Sequence, residues 1–88
     1  MSGVHASPEA SQALQMKVLG QLREPDWEWS TAPDIAKAMN ASEEDTWEAI
    51  AYLSQAMLLD VAFFRVGRKF VPCFDVSDLG MAELMNNE

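Results

Sequence analysis

Side chains of opposite charge lie in two separate stretches of this 88-residue sequence. The stretch NASEEDTWEAIAYL carries four carboxylates and no cation. These belong to Glu43, Glu44, Asp45 and Glu48. The stretch RVGRK carries three of the six basic residues of the chain, Arg65, Arg68 and Lys69. Because cations bind phosphate groups and carboxylates repel them, the two stretches predict opposite responses to a polyanion such as DNA.

Catalytic chemistry finds little support in the residue types and their spacing. His5, near the N-terminus, is the sole histidine, and Cys73 is the sole cysteine. The sequence therefore offers no Ser-His-Asp or Cys-His arrangement, no set of zinc ligands and no intramolecular disulfide. It also lacks a phosphate-binding glycine loop. We predict that the protein is not an enzyme, uses no cofactor, metal ion or small-molecule substrate, and buries Cys73 in a strand as an apolar residue.

The composition indicates one small folded domain. Hydrophobic residues make up 49% of the chain, which is too apolar for a disordered acidic chain. The formal net charge of −8 repels nucleic acid and anionic lipid at long range. The N-terminus lacks the basic and apolar blocks of a signal peptide, and no apolar run approaches the roughly 20 residues of a membrane span. We therefore expect a cytoplasmic protein without a membrane partner.

The sequence predicts one ordered domain between two less ordered ends. Residues 1–6 are predicted to be disordered. Residues 7–75 are predicted to form the domain, beginning with helix 1, which Ser7 caps and Pro25 ends. The apolar face of this helix consists of Leu14, Val18 and Leu22. Residues 76–88 are expected to form a tail in which Gly80 and the short length leave only a marginal helix.

Helices 2 and 3 begin at two capping motifs of the same spacing. Thr31 with Asp34 starts helix 2, and Ser42 with Asp45 starts helix 3. Asn40 is predicted to end helix 2 in the left-handed conformation. Helix 3 is predicted to run through Leu58 or Leu59. Its buried face is predicted to consist of Thr46, Ile50, Leu53 and Met57.

Two further stretches have the patterns of strands. In PDWEWS, Trp27 and Trp29 alternate with charged residues, which predicts a short strand with at least one of the two rings against the core. VAFFRVGRKFVPCFD predicts a β-hairpin with its turn at Gly67. Pro72 has no backbone N–H, so its strand should be an edge at that position.

The order helix, short strand, helix, tight turn, helix and hairpin resembles the winged helix-turn-helix superfamily. The resemblance is carried by WSTAPDIAKAMNASEEDTWEAIAYLSQAMLLDVAFFRVGRKFV, about half of the chain. Within it, DIAKAMNASEEDTWEAIAYL is similar to the usual aliphatic-Ala pair, short turn, Ser and capped amphipathic helix. The chain also resembles small stand-alone bacterial winged-helix proteins of unknown function. The resemblance implies an α+β fold of three helices, a short strand and a C-terminal hairpin wing. It leaves the partner open, because winged helices bind DNA, RNA and protein.

Helix 3 has the wrong chemistry for reading DNA bases. In winged-helix DNA binders its exposed face reads the major groove, where Arg, Lys, Asn and Gln are the usual reading residues. Only Gln55 of the predicted exposed face is of this type, and it lies toward the far end of the helix. Our first prediction is therefore a protein-interaction module in a regulatory or nucleoprotein assembly. Its predicted protein-binding residues are Glu44, Trp47, Glu48 and Tyr52.

Other interpretations of the same residues remain open. A DNA-binding transcriptional regulator would hold phosphates through the wing residues Arg65, Arg68 and Lys69, with weak and salt-sensitive affinity. An acidic DNA mimic is less favoured, because the carboxylates do not form regular phosphate-like rows. A basic wing and an acidic helix 3 would also be complementary in a homodimer. The plainest interpretation is that the acids cap helix 3 and the cations keep the hairpin tip soluble.

Overall fold

The computed structural model describes the backbone of residues 8–86 and the side chains of residues 12–86. Within that part of the chain, four α-helices pack with a three-stranded antiparallel sheet. In chain order these elements are α1 (Pro8–Leu22), β1 (Ser30–Thr31), α2 (Ala32–Met39), α3 (Glu43–Gln55), β2 (Leu59–Val66), β3 (Lys69–Val76) and α4 (Asp78–Asn86). The predicted disordered N-terminus, the Ser7 cap and His5 lie outside the described residues. The arrangement is the winged-helix fold that the sequence predicted.

The hairpin of β2 and β3 forms the wing, and β3 is the central strand of the sheet. Gly67 adopts a φ of 65° in the turn, a conformation that glycine tolerates best. β1 pairs only with the inner part of β3, through Ser30 with Phe74 and Thr31 with Cys73. Pro72 lies beyond that pairing and has a strand partner on one side alone, Phe63 of β2. The predicted local edge at Pro72 is therefore confirmed, although β3 as a whole is central.

The core lies where α1, α2 and α3 meet over the inner end of the sheet. The predicted apolar face of α1 is confirmed, because Val18 and Leu22 are fully buried and Leu14 packs partly buried against them. The other fully buried large side chains include Ile35 of α2 and Leu53 of α3. The helices thus bury one face each, as their spacing of apolar residues predicted.

Both predicted N-caps of the helix-turn-helix are present. The Thr31 hydroxyl accepts a hydrogen bond from the Asp34 backbone N–H at 3.4 Å, and the Ser42 hydroxyl accepts one from the Asp45 N–H at 3.1 Å. Asn40 has a φ of 54°, which confirms the predicted left-handed end of α2. The backbone N–H of the next residue, Ala41, closes the motif on the Ala36 carbonyl at 3.0 Å.

The predicted end of helix 3 was wrong. α3 ends at Gln55, and Met57 is 68% exposed instead of buried. Met57 adopts a φ of 63°, so the helix stops by the same left-handed motif that ends α2. Here the N–H groups of Met57 and Leu58 donate to the carbonyls of Ser54 and Leu53 at 3.0 and 2.8 Å. This end of α3 had no signal in the residue types, because methionine is neither glycine nor asparagine.

The predicted strand through the two tryptophans was also wrong. Pro25–Trp27 form a turn of 3-10 helix, and Trp29 adopts a left-handed φ of 57°. The Ser30 hydroxyl donates to the Trp27 carbonyl at 2.7 Å and ties this turn together. Trp27 nevertheless packs against the core, as predicted for at least one of the two rings. The alternation of tryptophans with charged residues predicted a strand. A helical turn forms instead, because proline favours the first position of a helical turn as well as the end of a helix.

α4 packs against α1 and β3 and buries Leu84 in the core. Its start is fixed by Ser77, whose hydroxyl accepts from the Gly80 N–H at 3.0 Å and donates to the Met57 carbonyl at 2.7 Å. The Ser77 N–H also donates to the Leu58 carbonyl at 3.0 Å. Gly80 counted against a helix in the sequence. In the structure it lets α4 approach the Leu58 backbone closely, because a Cβ at that position would overlap the Leu58 carbonyl oxygen.

Candidate interaction surface on α3 and the wing

An apolar groove runs between α3 and the inner face of the wing. Strand register places Val61 opposite Phe74 and Phe63 opposite Pro72, and these four side chains form the wing wall of the groove. The opposite wall belongs to α3 and consists of Trp47, Ile50, Ala51 and Ser54. The cavity measures about 360 Å³ and is open to solvent. We call it the α3–wing groove.

Aromatic side chains dominate the exposed part of the α3–wing groove. Trp47 packs edge-on against Phe74, with ring centroids 5.7 Å apart, and is still 42% exposed. Phe63, on the other wall, is 64% exposed. Exposed apolar patches of this kind on small soluble proteins often mark binding sites. Tryptophan and tyrosine in particular carry much of the binding energy of protein interfaces.

The outer face of the wing is apolar as well. Phe64 and Val66 lie on this face, and Trp29 meets the Phe64 ring edge-on at a centroid distance of 5.9 Å. Val66 is largely exposed, and Trp29 is 37% exposed. β2 forms one edge of the sheet, because its only partner among the described strands is β3. The wing therefore offers apolar side chains on both faces and an unpaired strand edge.

The structure divides the predicted protein-binding residues between two stripes of α3. Trp47 lines the α3–wing groove. Glu44, Glu48 and Tyr52 follow one another at intervals of four residues on the neighbouring stripe, where all three are exposed and Tyr52 is 56% exposed. The structure thus places carboxylates beside the groove. The sequence analysis did not identify Val61, Phe63 and Pro72 as binding residues, although the apolar run VAFFRV contains the first two.

The three cations of the wing lie at its tip, and all are exposed. Arg65 donates from Nε to the Gly67 carbonyl at 3.0 Å, which holds its side chain against the turn. Arg65 shares the inner face with Val61 and Phe63, because alternate residues of a strand point the same way. Lys69 lies opposite Val66 at the first pair of the hairpin. Arg65 therefore extends the wing wall of the groove toward the tip, whereas Lys69 shares the outer face of the wing with Val66.

A second, more polar cleft is lined by residues of the 3-10 turn, β1 and α2. It measures about 370 Å³ and is lined by Asp26, Trp27, Ser30, Asp34, Lys37 and Ala38. Among the side chains of residues 12–86, no group of three or more His, Cys, Asp or Glu could hold a metal ion. None of the helices within residues 8–86 is both long and apolar enough to cross a membrane.

Cys73 is buried in β3, where its thiol donates to the Val71 carbonyl across 3.7 Å. Burial raises the pKa of the Cys73 thiol, and the charge of Asp34 raises it further. Such a thiol stays protonated and makes a poor nucleophile. Its position agrees with the predicted role as a small apolar residue of a strand.

Comparison with solved structures found winged-helix proteins of similar fold. The apo form of a doubly substituted variant of ZitR from Lactococcus lactis has a TM-score of 0.71 and 19% sequence identity, over 90% of this chain and 57% of that chain. A singly substituted ZitR variant gives a TM-score of 0.71 and 18% identity, over 99% and 57%. ZitR itself, a zinc-responsive MarR family member, gives 0.68 and 16%, over 98% and 54%.

The chain spans little more than half the length of these ZitR structures. At identities below 20%, TM-scores of about 0.7 show a shared fold and no more. They confirm the winged-helix architecture. The chain matches no protein-family model and no curated protein sequence.

Proposed function

We propose that this chain is a non-catalytic winged-helix module of a regulatory or nucleoprotein assembly, and that the α3–wing groove binds a protein. The observation that carries the proposal is the groove itself, an open apolar channel with Trp47 and Phe63 on its two walls. A protein partner would cover these rings and remove their apolar surface from water, which is the main driving force of association.

The charge of α3 supports protein contact over base reading. The exposed residues Glu43, Glu44, Asp45 and Glu48 would face a nucleic acid backbone in the usual winged-helix docking mode, and each would be repelled by phosphate. A net charge of −8 adds long-range repulsion. Gln55, the residue of a usual base-reading type, lies in the last turn of α3.

The experiment is a comparison of partner capture by the full chain and by two tryptophan variants. Trp47→Ala should abolish capture of a protein partner, because it removes one wall of the groove. Trp29→Ala is the matched control, because Trp29 is similarly exposed and lies outside the groove. Circular dichroism of each variant establishes folding. If Trp47→Ala fails to fold, Phe63→Ala takes its place, since Phe63 is more exposed. Equal capture by all variants would contradict the proposal.

A second candidate function is DNA binding by a transcriptional regulator through the wing tip. The likeness to ZitR, a zinc-responsive MarR family member, supports this interpretation better than it supports protein docking. Arg65, Arg68 and Lys69 are exposed and would anchor phosphates, and a dimer partner would add further cations. Three cations would give weak binding with a log–log salt slope of about −3 or shallower.

Fluorescence anisotropy of labelled random duplex DNA at about 50 and 200 mM salt separates the two functions. Protein docking predicts no binding at high micromolar protein, even at the lower salt. Binding that weakens steeply with salt, and that Arg68→Ala with Lys69→Ala removes, would put the DNA-binding regulator first.

A further inference from the structure

Acidic side chains of α3 and basic side chains of the wing tip flank the α3–wing groove, whose own lining is uncharged. Glu43 and Glu44 lie one turn before Trp47 on α3, and Glu48 follows Trp47 directly, so these carboxylates stand beside the groove. Arg65 lies two residues beyond Phe63 on the wing wall, and Arg68 and Lys69 complete the tip. Among the described residues no ion pair joins Arg68 or Lys69 to α3. The two charged sets are thus available to an outside partner.

Such a surface is complementary to itself. A two-fold axis along the groove would lay the wing of each copy over α3 of the other copy, so that a basic wing tip faces an acidic α3 twice. The same operation would place the exposed Phe63 of each wing against the exposed Trp47 of the partner copy. A two-fold dimer needs a surface with both features, a projecting apolar group and a groove to receive it.

We propose that the α3–wing groove binds a second copy of this chain, forming a two-fold dimer in which each basic wing tip contacts the acidic first turns of the partner's α3. The proposal rests on the protein-docking function above and names the partner. Charge complementarity selects a second copy over a uniformly basic or uniformly acidic protein, because either of those would be repelled by the charges of the wing tip or by those of α3.

The net charge of the protein provides a sharp test. Wild-type chains carry −8 each, so long-range repulsion opposes self-association. Glu44→Lys with Glu48→Lys lowers this charge to −4, and general repulsion alone would then predict tighter association. The proposed dimer predicts the opposite result, because α3 and the wing tip that it contacts would both be basic. Glu24→Lys with Asp26→Lys is the matched control, since it also gives −4 but changes residues outside α3 and the wing.

The measurement is sedimentation velocity of the full chain from about 1 to 500 µM, a range suited to a weak interface. We expect concentration-dependent dimers for the wild type and the control. The α3 variant, and likewise the wing variant Arg68→Glu with Lys69→Glu, should associate at least about tenfold more weakly. An equimolar mixture of the two variants should regain dimers, because the mixed pair restores opposite charges at both contacts.

Three results would overturn the dimer. These are a wild type that stays monomeric to the highest concentration, an α3 variant that associates as tightly as its control, and a mixture that stays monomeric while both variants are folded. The proposed docking function fails separately. If the protein is monomeric but still captures another protein in a Trp47-dependent way, the groove is a docking site and its partner is not a second copy.

Discussion

Position 46 places a hydroxyl group inside the hydrophobic core. Thr46 is fully buried in α3, and its Oγ1 has no hydrogen-bond partner among the described residues. A buried polar group without a partner costs free energy, because it has lost its hydrogen bonds to water. The sequence predicted the burial of Thr46 correctly from its spacing with Ile50 and Leu53. It could not predict the unsatisfied hydroxyl, which depends on what surrounds the side chain.

We therefore expect Thr46→Val to raise the free energy of unfolding by about 1 kcal/mol, because valine has the same shape and no hydroxyl. Urea denaturation followed by circular dichroism measures the change, with an unaltered slope showing that the midpoint reports stability. Ser42→Ala is the control. It also removes one hydroxyl, but one that caps α3, and should lower the free energy of unfolding by about 1 kcal/mol. A destabilised Thr46→Val would show that the hydroxyl is satisfied in solution.

Met57 holds a conformation that suits glycine better. Its φ of 63° is strained for a side chain with a Cβ, and its exposed side chain gains little from packing. We expect Met57→Gly to raise the free energy of unfolding by roughly 0.5–1 kcal/mol. Thermal and urea unfolding check the result. Met57→Ala keeps the Cβ and the strain, so a gain as large as that of glycine would contradict the explanation.

Two glycines in helices should respond oppositely to the same change. Gly80→Ala would drive a Cβ into the Leu58 carbonyl oxygen and the Val76 side chain, so that α4 must shift away from β2. We expect a loss of roughly 2–3 kcal/mol in the free energy of unfolding and faster amide exchange in α4. Gly20→Ala in α1 meets nothing within 4 Å and should instead add about 0.5–1 kcal/mol.

Element boundaries could be predicted where the signal was local. Thr31, Ser42 and Asn40 carry their roles in their own side chains, and each has the structure that the sequence predicted. Met57 and Trp29 adopt left-handed conformations without being residues that favour them. The surrounding structure determines the backbone at such positions. At Met57, for example, α3 must stop before β2 begins. Local sequence could not reveal either position.

The α3–wing groove belongs to the whole molecule and was only half predicted. Trp47 was identified as a binding residue, but it was grouped with Glu44, Glu48 and Tyr52 of its own helix. Its neighbours across the groove, Val61 and Phe63, come more than a dozen residues later and meet it only through the packing of the wing against α3. Periodicity shows which residues share one face of a helix or strand, but it does not show which faces of different elements pack together.

The uneven charge of the molecule should make its stability depend on salt. Fourteen acidic residues against six basic ones give a net charge of −8, and like charges in a compact chain repel one another. Raising the salt from about 20 to 300 mM shortens the range of this repulsion and should raise the free energy of unfolding by roughly 0.5–1 kcal/mol. Urea unfolding at the two salt concentrations measures it. A loss of stability would show that attractive pairs outweigh the repulsion.

The positions of the tryptophans give the molecule built-in optical reporters. Trp47 lines the α3–wing groove, Trp29 lies against Phe64 on the outer face of the wing, and Trp27 packs against the core. Indole emission shifts to shorter wavelength when water is excluded from the ring. Variants that keep one tryptophan and replace the other two with phenylalanine would therefore report, without any attached dye, which side of the wing a bound molecule covers.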